Sequence, residues 1–283
     1  HAVGFRFLAL EHLLAYTRRR SNSTVSGSLW PTAGGRRTSV RVGDANSCRM
    51  RAVAFFREAM CINALYAALT IPASIALALA MAIFVHGRIA GRAFLRMSYF
   101  TPTVLPLIAV ANIWVFFFLP GFGLFEQIRE ALGLSPQNWI GQPATALYAV
   151  TIVSVWSQAG FFMIFYLAAL QNIPDSLREE AALEGTSRWT FFRRVTWPLL
   201  MPTTLFLSVN ATINAFRTVD HIFVMTQGGP NNASMLLLYY IYEIGFRFWD
   251  TAYAATLTVV MVAILAIVGL GQFFLMDRRI HYK

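Results

Sequence analysis

Charge is scarce in this 283-residue chain: Asp, Glu, Lys and Arg make up 13% of it, where soluble domains carry about 25%. A water-soluble globule of this length needs more polar surface, so the deficit excludes an ordinary soluble domain. The 57% of hydrophobic residues excludes an intrinsically disordered chain as well. Cysteine is nearly absent. Cys48 and Cys61 cannot build a disulfide framework, and no C-x-x-C pair occurs. The histidines (His1, His12, His86, His221, His281) are scattered, so no metal site is expected. The sequence has no G-x-x-x-x-G-K-[S/T] loop for a nucleotide and no H-E-x-x-H helix. It also shows no paired intramembrane carboxylates and no credible Ser/His dyad, so no catalytic residues and no cofactor of its own are expected.

What is present is long apolar runs. A spanning helix needs about 20 mostly apolar residues, and five segments qualify: 59–85, 95–119, 144–170, 199–225 and 251–276. Pro72, Pro102 and Pro106 fall inside spans, where neighbouring helices and Ser/Thr side chains can satisfy the freed carbonyls. The predicted fold is an all-α polytopic membrane protein.

The net charge of +10 then concerns sidedness and not nucleic acid. Beyond residue 57, Arg88, Arg92, Arg96, Arg178, Arg188, Arg193, Arg194, Arg278, Arg279 and Lys283 fall on one side. The other side holds Arg129 and Arg247, with Arg217 inside a span. The positive-inside rule puts 85–96, 171–198 and the C-terminus in the cytoplasm. Loops 120–143 and 226–250 then face outward, with Trp139, Tyr239, Tyr240 and Trp249 suited to the interface.

Residues 1–57 break this pattern. They hold ten arginines and a Ser/Thr/Gly/Arg-rich stretch over 17–51, and the amphipathic piece 5–16 is too short to cross. Five spans with an inside C-terminus leave this basic segment outside, against the rule. The chain also begins with His and not Met. The expected organisation is a basic N-terminal segment, 1–57, with a degenerate or missing first span, followed by a transmembrane domain, 58–283. The intact form then has six spans. Disorder is favoured for 1–57 over a lipid-binding arm, and no signal-peptide h-region is present.

The connector 171–198 carries the clearest pattern. Pro174 and Asp175 suit a helix start, 175–184 are good helix formers, Gly185 suits a helix stop, and a second short helix is predicted near 187–195. Pro198 is expected to open the next span. Arg178, Glu179, Glu180 and Glu184 give the elbow a charged face, and Leu177, Ala181 and Leu183 offer apolar contacts. The residues alone leave two readings: a lever that docks in a soluble partner, or an amphipathic connector lying on headgroups.

This segment resembles the EAA loop of permease subunits of bacterial ATP-binding-cassette (ABC) importers, whose pattern is Glu-Ala-Ala, three residues, Gly, nine residues, Ile-x-Leu-Pro. Glu179 takes the Glu position, Gly185 the Gly position, and Val195-Thr196-Trp197-Pro198 the last four. Glu180, Val195 and Trp197 depart from the usual Ala, Ile and Leu. Thr226-Gln-Gly-Gly-Pro230, followed by 236–242, Phe246 and 252–255, is similar to the outer segment of the maltose and glycerol-3-phosphate branch. Phe100-Thr-Pro102 and Pro120-Gly-x-Gly123 add to the likeness, which covers about 59–283.

The resemblance implies a MetI-like helical bundle in the bacterial inner membrane, one of two permease subunits in a binding-protein-dependent importer. Arg178, Glu179, Glu180, Ala181, Ala182, Glu184 and Gly185 would form the coupling helix that enters a cleft of an ATPase. Implied partners are a second permease, a dimer of ATP-binding subunits that holds ATP and Mg, an extracellular solute-binding lipoprotein or periplasmic protein, and the lipid bilayer. Nucleic acid is not among them. The solute implied first is glycerol 3-phosphate or a glycerophosphodiester, with a neutral di- or oligosaccharide as the alternative.

A solute route is sought on the fourth span, where Asn210, Asn214, Arg217 and His221 fall on one helical face if the helix runs unbroken. Asp220 lies near its end, and Gln158, with Ser154 and Ser157, gives a smaller polar cluster on the third span. Amides suit sugar hydroxyls and a guanidinium suits a phosphate. Asn side chains can equally glue helices together, and Arg217 can snorkel to headgroups or pair with Asp220. A secondary transporter or channel is the alternative class. The lack of a carboxylate within the spans, Asp220 near one end aside, argues against a proton-coupled carrier.

Overall fold

The structure is a computed structural model that describes residues 54–87 and 91–277. The expectations for residues 1–53, and for Arg88, Arg278, Arg279 and Lys283, lie outside the described residues. Every described element is helical. In chain order they are α1 (Ala54–His86), α2 (Arg92–Val104), α3 (Leu107–Phe117), α4 (Leu124–Ala131), α5 (Pro143–Gln171) and α6 (Asp175–Leu183). There follow α7 (Arg188–Phe191), α8 (Trp197–Arg217), α9 (Asp220–Met225), α10 (Leu237–Tyr242) and α11 (Thr251–Asp277). Two π-helical turns, Phe192–Thr196 and Glu243–Arg247, are inserted before α8 and after α10.

Among the described residues, four stretches are long and apolar enough to cross a membrane: α1, α5, the run Arg188–Met225 and α11. The first, third and fifth expected spans are thus single helices.

The second expected span, 95–119, is not one helix. α2 and α3 meet at a 103° bend. Leu105, the residue before Pro106, is extended (φ −77°, ψ 141°), as the clash with a following proline ring demands, and Pro106 has no N–H to continue the ladder. Helices of 13 and 11 residues reach only roughly 20 and 16 Å, so neither crosses alone.

The fourth span also departs from expectation. Its helix begins at Arg188, upstream of Pro198, and runs through the π-turn, where the Trp197 N–H reaches back five residues to the Phe192 carbonyl. That wide turn absorbs the donor missing at Pro198, so the proline sits inside a continuous helix and does not open one. At the far end the helix breaks at Thr218 (φ −69°, ψ 121°) and Val219 (φ −140°, ψ −32°) before α9. The Thr218 hydroxyl donates to the Asn214 carbonyl at 2.8 Å and helps close that end.

The described residues form two compact units, one holding 54–60 and 237–264, the other 61–87, 91–236 and 265–277. In the second unit the core joins Ala78 and Ala82 of α1, Phe162, Met163 and Tyr166 of α5, and Leu200, Leu207 and Ala211 of α8. The alanines allow the close helix approach that drives association in lipid. Gly160 does the same for α2 on α5, since a Cβ there would collide with the Tyr99 carbonyl oxygen. A second cluster joins Val110 and Ala111 of α3 and its C-cap Phe118, Ala149 and Val153 of α5, and Met225 of α9. Beside it Phe118 stacks on Phe125 of α4 at 4.9 Å between centroids. In the first unit, Asp250 Oδ1 caps α11 by accepting from the Tyr253 N–H at 3.1 Å.

Candidate functional site

The elbow forms as its residue types dictate. Ile173 is buried and belongs to the core that holds α5, so the chain leaves that helix from a fixed point. α6 then runs without one buried residue. Its end is a Schellman motif: Gly185 has φ +67°, its N–H reaches the Ala182 carbonyl at 3.2 Å, and the Thr186 N–H reaches the Ala181 carbonyl at 2.9 Å. Ser187 caps α7 by accepting from the Thr190 N–H at 3.2 Å. α7 continues through the π-turn into α8, so a push on the elbow is delivered along one continuous helix.

Glu179, Glu180, Ala182, Glu184 and Gly185 are exposed and Ala181 is half-buried. Leu183 is 89% exposed and Trp189 69% exposed, an uneconomical display of apolar surface for a solvated loop. Arg178 is placed differently from its acidic neighbours. Its Nη2 donates to His86 Nε2 at 3.2 Å and its Nη1 lies 4.0 Å from Asp175 Oδ1, so it ties the elbow to the end of α1.

On α8, Asn214 Nδ2 donates to Asn210 Oδ1 at 3.1 Å, and both side chains are half-buried. Arg217 ends the helix exposed, and no ion pair joins it to the exposed Asp220 among the described residues. His221 is not on their face. The break at Thr218–Val219 cancels the four-three-four spacing, and His221, 1% exposed, lies with Nε2 2.7 Å from Ser154 Oγ. Ser154 also accepts from the Tyr66 hydroxyl at 2.6 Å. Together these side chains form a buried polar tie between α1, α5 and α9.

Gln158 is brought to the level of the asparagines. The Tyr166 hydroxyl donates to Thr204 Oγ1 at 3.0 Å, which sets the register of antiparallel α5 and α8. Eight residues further along each helix, Gln158 is level with Thr212, between Asn210 and Asn214. Its Oε1 is buried without a hydrogen-bond partner. Gln272 was not foreseen: its Nε2 donates to Thr212 Oγ1 at 2.7 Å, and its Oε1 is also buried without a partner. The signal available was an amide in the otherwise apolar last span. Among the described residues, then, two buried amide oxygens at the level of the asparagines have no hydrogen-bond partner, and in a membrane span such polar groups face a bundle interior or a wet cavity.

Two solved chains share this fold. One belongs to a bacterial ABC transporter involved in the import of the acidic polysaccharide alginate (TM-score 0.81, 19% identity, 96% of each chain). The other belongs to a bacterial alginate ABC transporter in complex with an alginate pentasaccharide-bound periplasmic protein (TM-score 0.85, 18% identity, 97% of this chain and 93% of that one). The fold is therefore that of an ABC importer permease. A profile described as "Binding-protein-dependent transport system inner membrane component" matches residues 74–282, and the chain belongs to that family.

Its relatives include the trehalose/maltose transport system permease protein of Thermococcus litoralis, 33% identical over 72% of this chain and 70% of the relative. The lactose transport system permease protein of Rhizobium radiobacter is 31% identical over 82% and 80%. The sulfoquinovosyl glycerol transport system permease protein of Agrobacterium fabrum is 30% identical over 79% and 72%. As a permease of this family the chain is a multi-pass inner-membrane subunit and not itself an enzyme, ATP hydrolysis residing in a separate subunit. Membership sets aside the secondary transporter and channel readings.

Proposed function

We propose that this chain and a second permease subunit together form the uptake pathway for a carbohydrate, opened and closed by a dimer of ATP-binding subunits that grips the elbow at α6–Gly185. The observation that carries the coupling role is the elbow itself: a helix with no buried residue, displaying Leu183 and three glutamates, welded through α7 into α8. A solute-binding protein delivers the solute from outside.

In this reading the elbow and the C-terminus lie in the cytoplasm, as the distribution of arginines favours. This orientation requires α2 and α3 to act as one broken span. If the bent pair crosses once, Arg92, Arg96 and the elbow arginines share a side, as the positive-inside rule favours. A re-entrant hairpin would split them.

The solute favoured is a neutral di- or oligosaccharide. The Asn210–Asn214 pair, with Gln158 and Gln272 level with it, offers donors and acceptors in the number that sugar hydroxyls use. The trehalose/maltose and lactose names of the relatives support this. A second reading, glycerol 3-phosphate or a glycerophosphodiester, is favoured by one observation: Arg217 is exposed one helical turn from Asn214, where a guanidinium could grip an anion. Uptake by the reconstituted importer of labelled maltose, lactose and glycerol 3-phosphate tests both readings. Saturable ATP-dependent accumulation of a disaccharide supports the first reading, and accumulation of glycerol 3-phosphate alone refutes it.

A further inference from the structure

We propose that the groove between α2 and α5, at the end where Arg96 meets Gln171, binds one anionic phospholipid. The groove has a volume of about 420 Å³ and is lined by Met97, Phe100, Ile164, Leu167 and Ala168, with Arg96 and Gln171 beside them. Its form follows from the helix crossing. Gly160 brings α2 against α5 at the Tyr99 carbonyl, and the groove lies beside that contact, between Arg96, Met97 and Phe100 of α2 and Met163 to Gln171 of α5. A slot opens that is apolar along its length and polar at its end.

That division matches a lipid: an acyl chain in the slot and a phosphate at the guanidinium. Arg96 has a buried Nε without a hydrogen-bond partner among the described residues. The surroundings are basic. Arg92, Arg96 and Arg178 all act electrostatically on His86, and Asp175 is the acid felt there among the described residues. A neutral lipid would gain nothing from this field, whereas an anionic headgroup neutralises it. The leaflet, cytoplasmic, rests on the orientation proposed above. The site does not, because protein in detergent has no sidedness, so the two can fail separately.

The test is native mass spectrometry of the full chain in mild detergent with equimolar phosphatidylglycerol and phosphatidylcholine. The wild type retains phosphatidylglycerol in preference to phosphatidylcholine. Arg96→Gln lowers that retention about fivefold, the worth of one basic side chain at a lipid surface, and Arg96→Lys restores most of it. Ala168→Trp, which fills the slot without altering charge, lowers retention as well, while Arg129→Gln, remote from the groove, leaves it unchanged. Near-UV circular dichroism identifies variants that have kept their fold. Equal retention of the two lipids overturns the proposal, as does a folded Arg96→Gln that binds like the wild type. So does displacement of the lipid by inorganic phosphate alone, or a photo-cross-linker at Ala168 that captures a protein subunit and no lipid in the assembled importer.

Discussion

Replacing Gly185 separates a backbone role from a side-chain role at the elbow. The residue sits at φ +67°, and a Cβ built on it would meet nothing within 4 Å. The cost of a side chain is therefore conformational and not steric: about 1–2 kcal/mol for an ordinary L-residue in the left-handed region, and more for a β-branched one. Since about 1.4 kcal/mol is a tenfold change in population, Gly185→Ala disfavours the bent elbow roughly five- to thirtyfold. Gly185→Val disfavours it further, and Gly185→Asn little, asparagine being a natural occupant of this cap. Because α6 has no buried residue, the penalty falls on the elbow and not on global stability. ATP hydrolysis and uptake are measured in the same proteoliposomes containing the partner subunits. The expected ranking of solute moved per ATP is glycine, then asparagine, then alanine, then valine, with membrane insertion and melting temperature unchanged. Wild-type uptake by Gly185→Val refutes the coupling role. An asparagine variant as impaired as the valine variant refutes the backbone argument and assigns the effect to bulk in the partner's cleft.

Asn214→Leu and Arg217→Met distinguish solute contact from packing. Asn214→Leu is expected to raise the KM for a disaccharide while basal ATPase stays intact, and Arg217→Met to leave a neutral sugar unaffected; wild-type kinetics for Asn214→Leu reduce the amide pair to helix glue. Gly160→Val should destabilise the protein by an overpacking cost of about 1–3 kcal/mol and so lower its melting temperature, because the atom in its way is the Tyr99 backbone oxygen. Gly269→Ala, with open space around it, should not, and equal melting of the two variants contradicts the α2–α5 crossing. Ser154→Ala removes the acceptor of the Tyr66 hydroxyl and the partner of His221 Nε2 and should cost about 1–3 kcal/mol; its effect should be less than additive with Tyr66→Phe in a double-mutant cycle, and strict additivity means the three groups do not act together.

Much of the fold could be read from the sequence because hydropathy in a bilayer is a strong constraint on length and type. α1, α5 and α11 are long apolar runs with charged or turn-forming flanks, and the Gly185 elbow announces itself through a helix former run, a glycine and a serine cap. The two breaks did not announce themselves. Across Leu105–Pro106 the apolar character is continuous, so hydropathy saw one span. Only the restriction that Pro106 places on Leu105 could have shown the bend, and Pro72, which lies inside the unbroken helix α1, shows that a proline alone does not decide. The break at Thr218–Val219 carries no glycine or proline, and the polar spacing that ran through it joined His221 to a face it does not share. Gln158 was singled out from its residue type, but its level relative to Asn210 and Asn214 depends on the register set by Tyr166 and Thr204, a long-range fact that no periodicity contains. Arg178 was grouped with the glutamates by adjacency, and only the packing of α6 beside the end of α1 turns it toward His86.

The central claim is that the elbow is held by a separate nucleotide-hydrolysing subunit. Leu183, 89% exposed at the tip of α6, is the residue from which to ask, since seating it in a partner's cleft would contribute about 1.5–3 kcal/mol. With Cys48 and Cys61 changed to serine, Leu183→Cys alkylated with a maleimide-benzophenone probe should, on illumination of the assembled importer, cross-link to the ATP-binding subunit, and that cross-link should block solute uptake. A cysteine there that remains freely reactive toward a water-soluble maleimide in the full assembly, with no cross-link in any nucleotide state, would contradict the account.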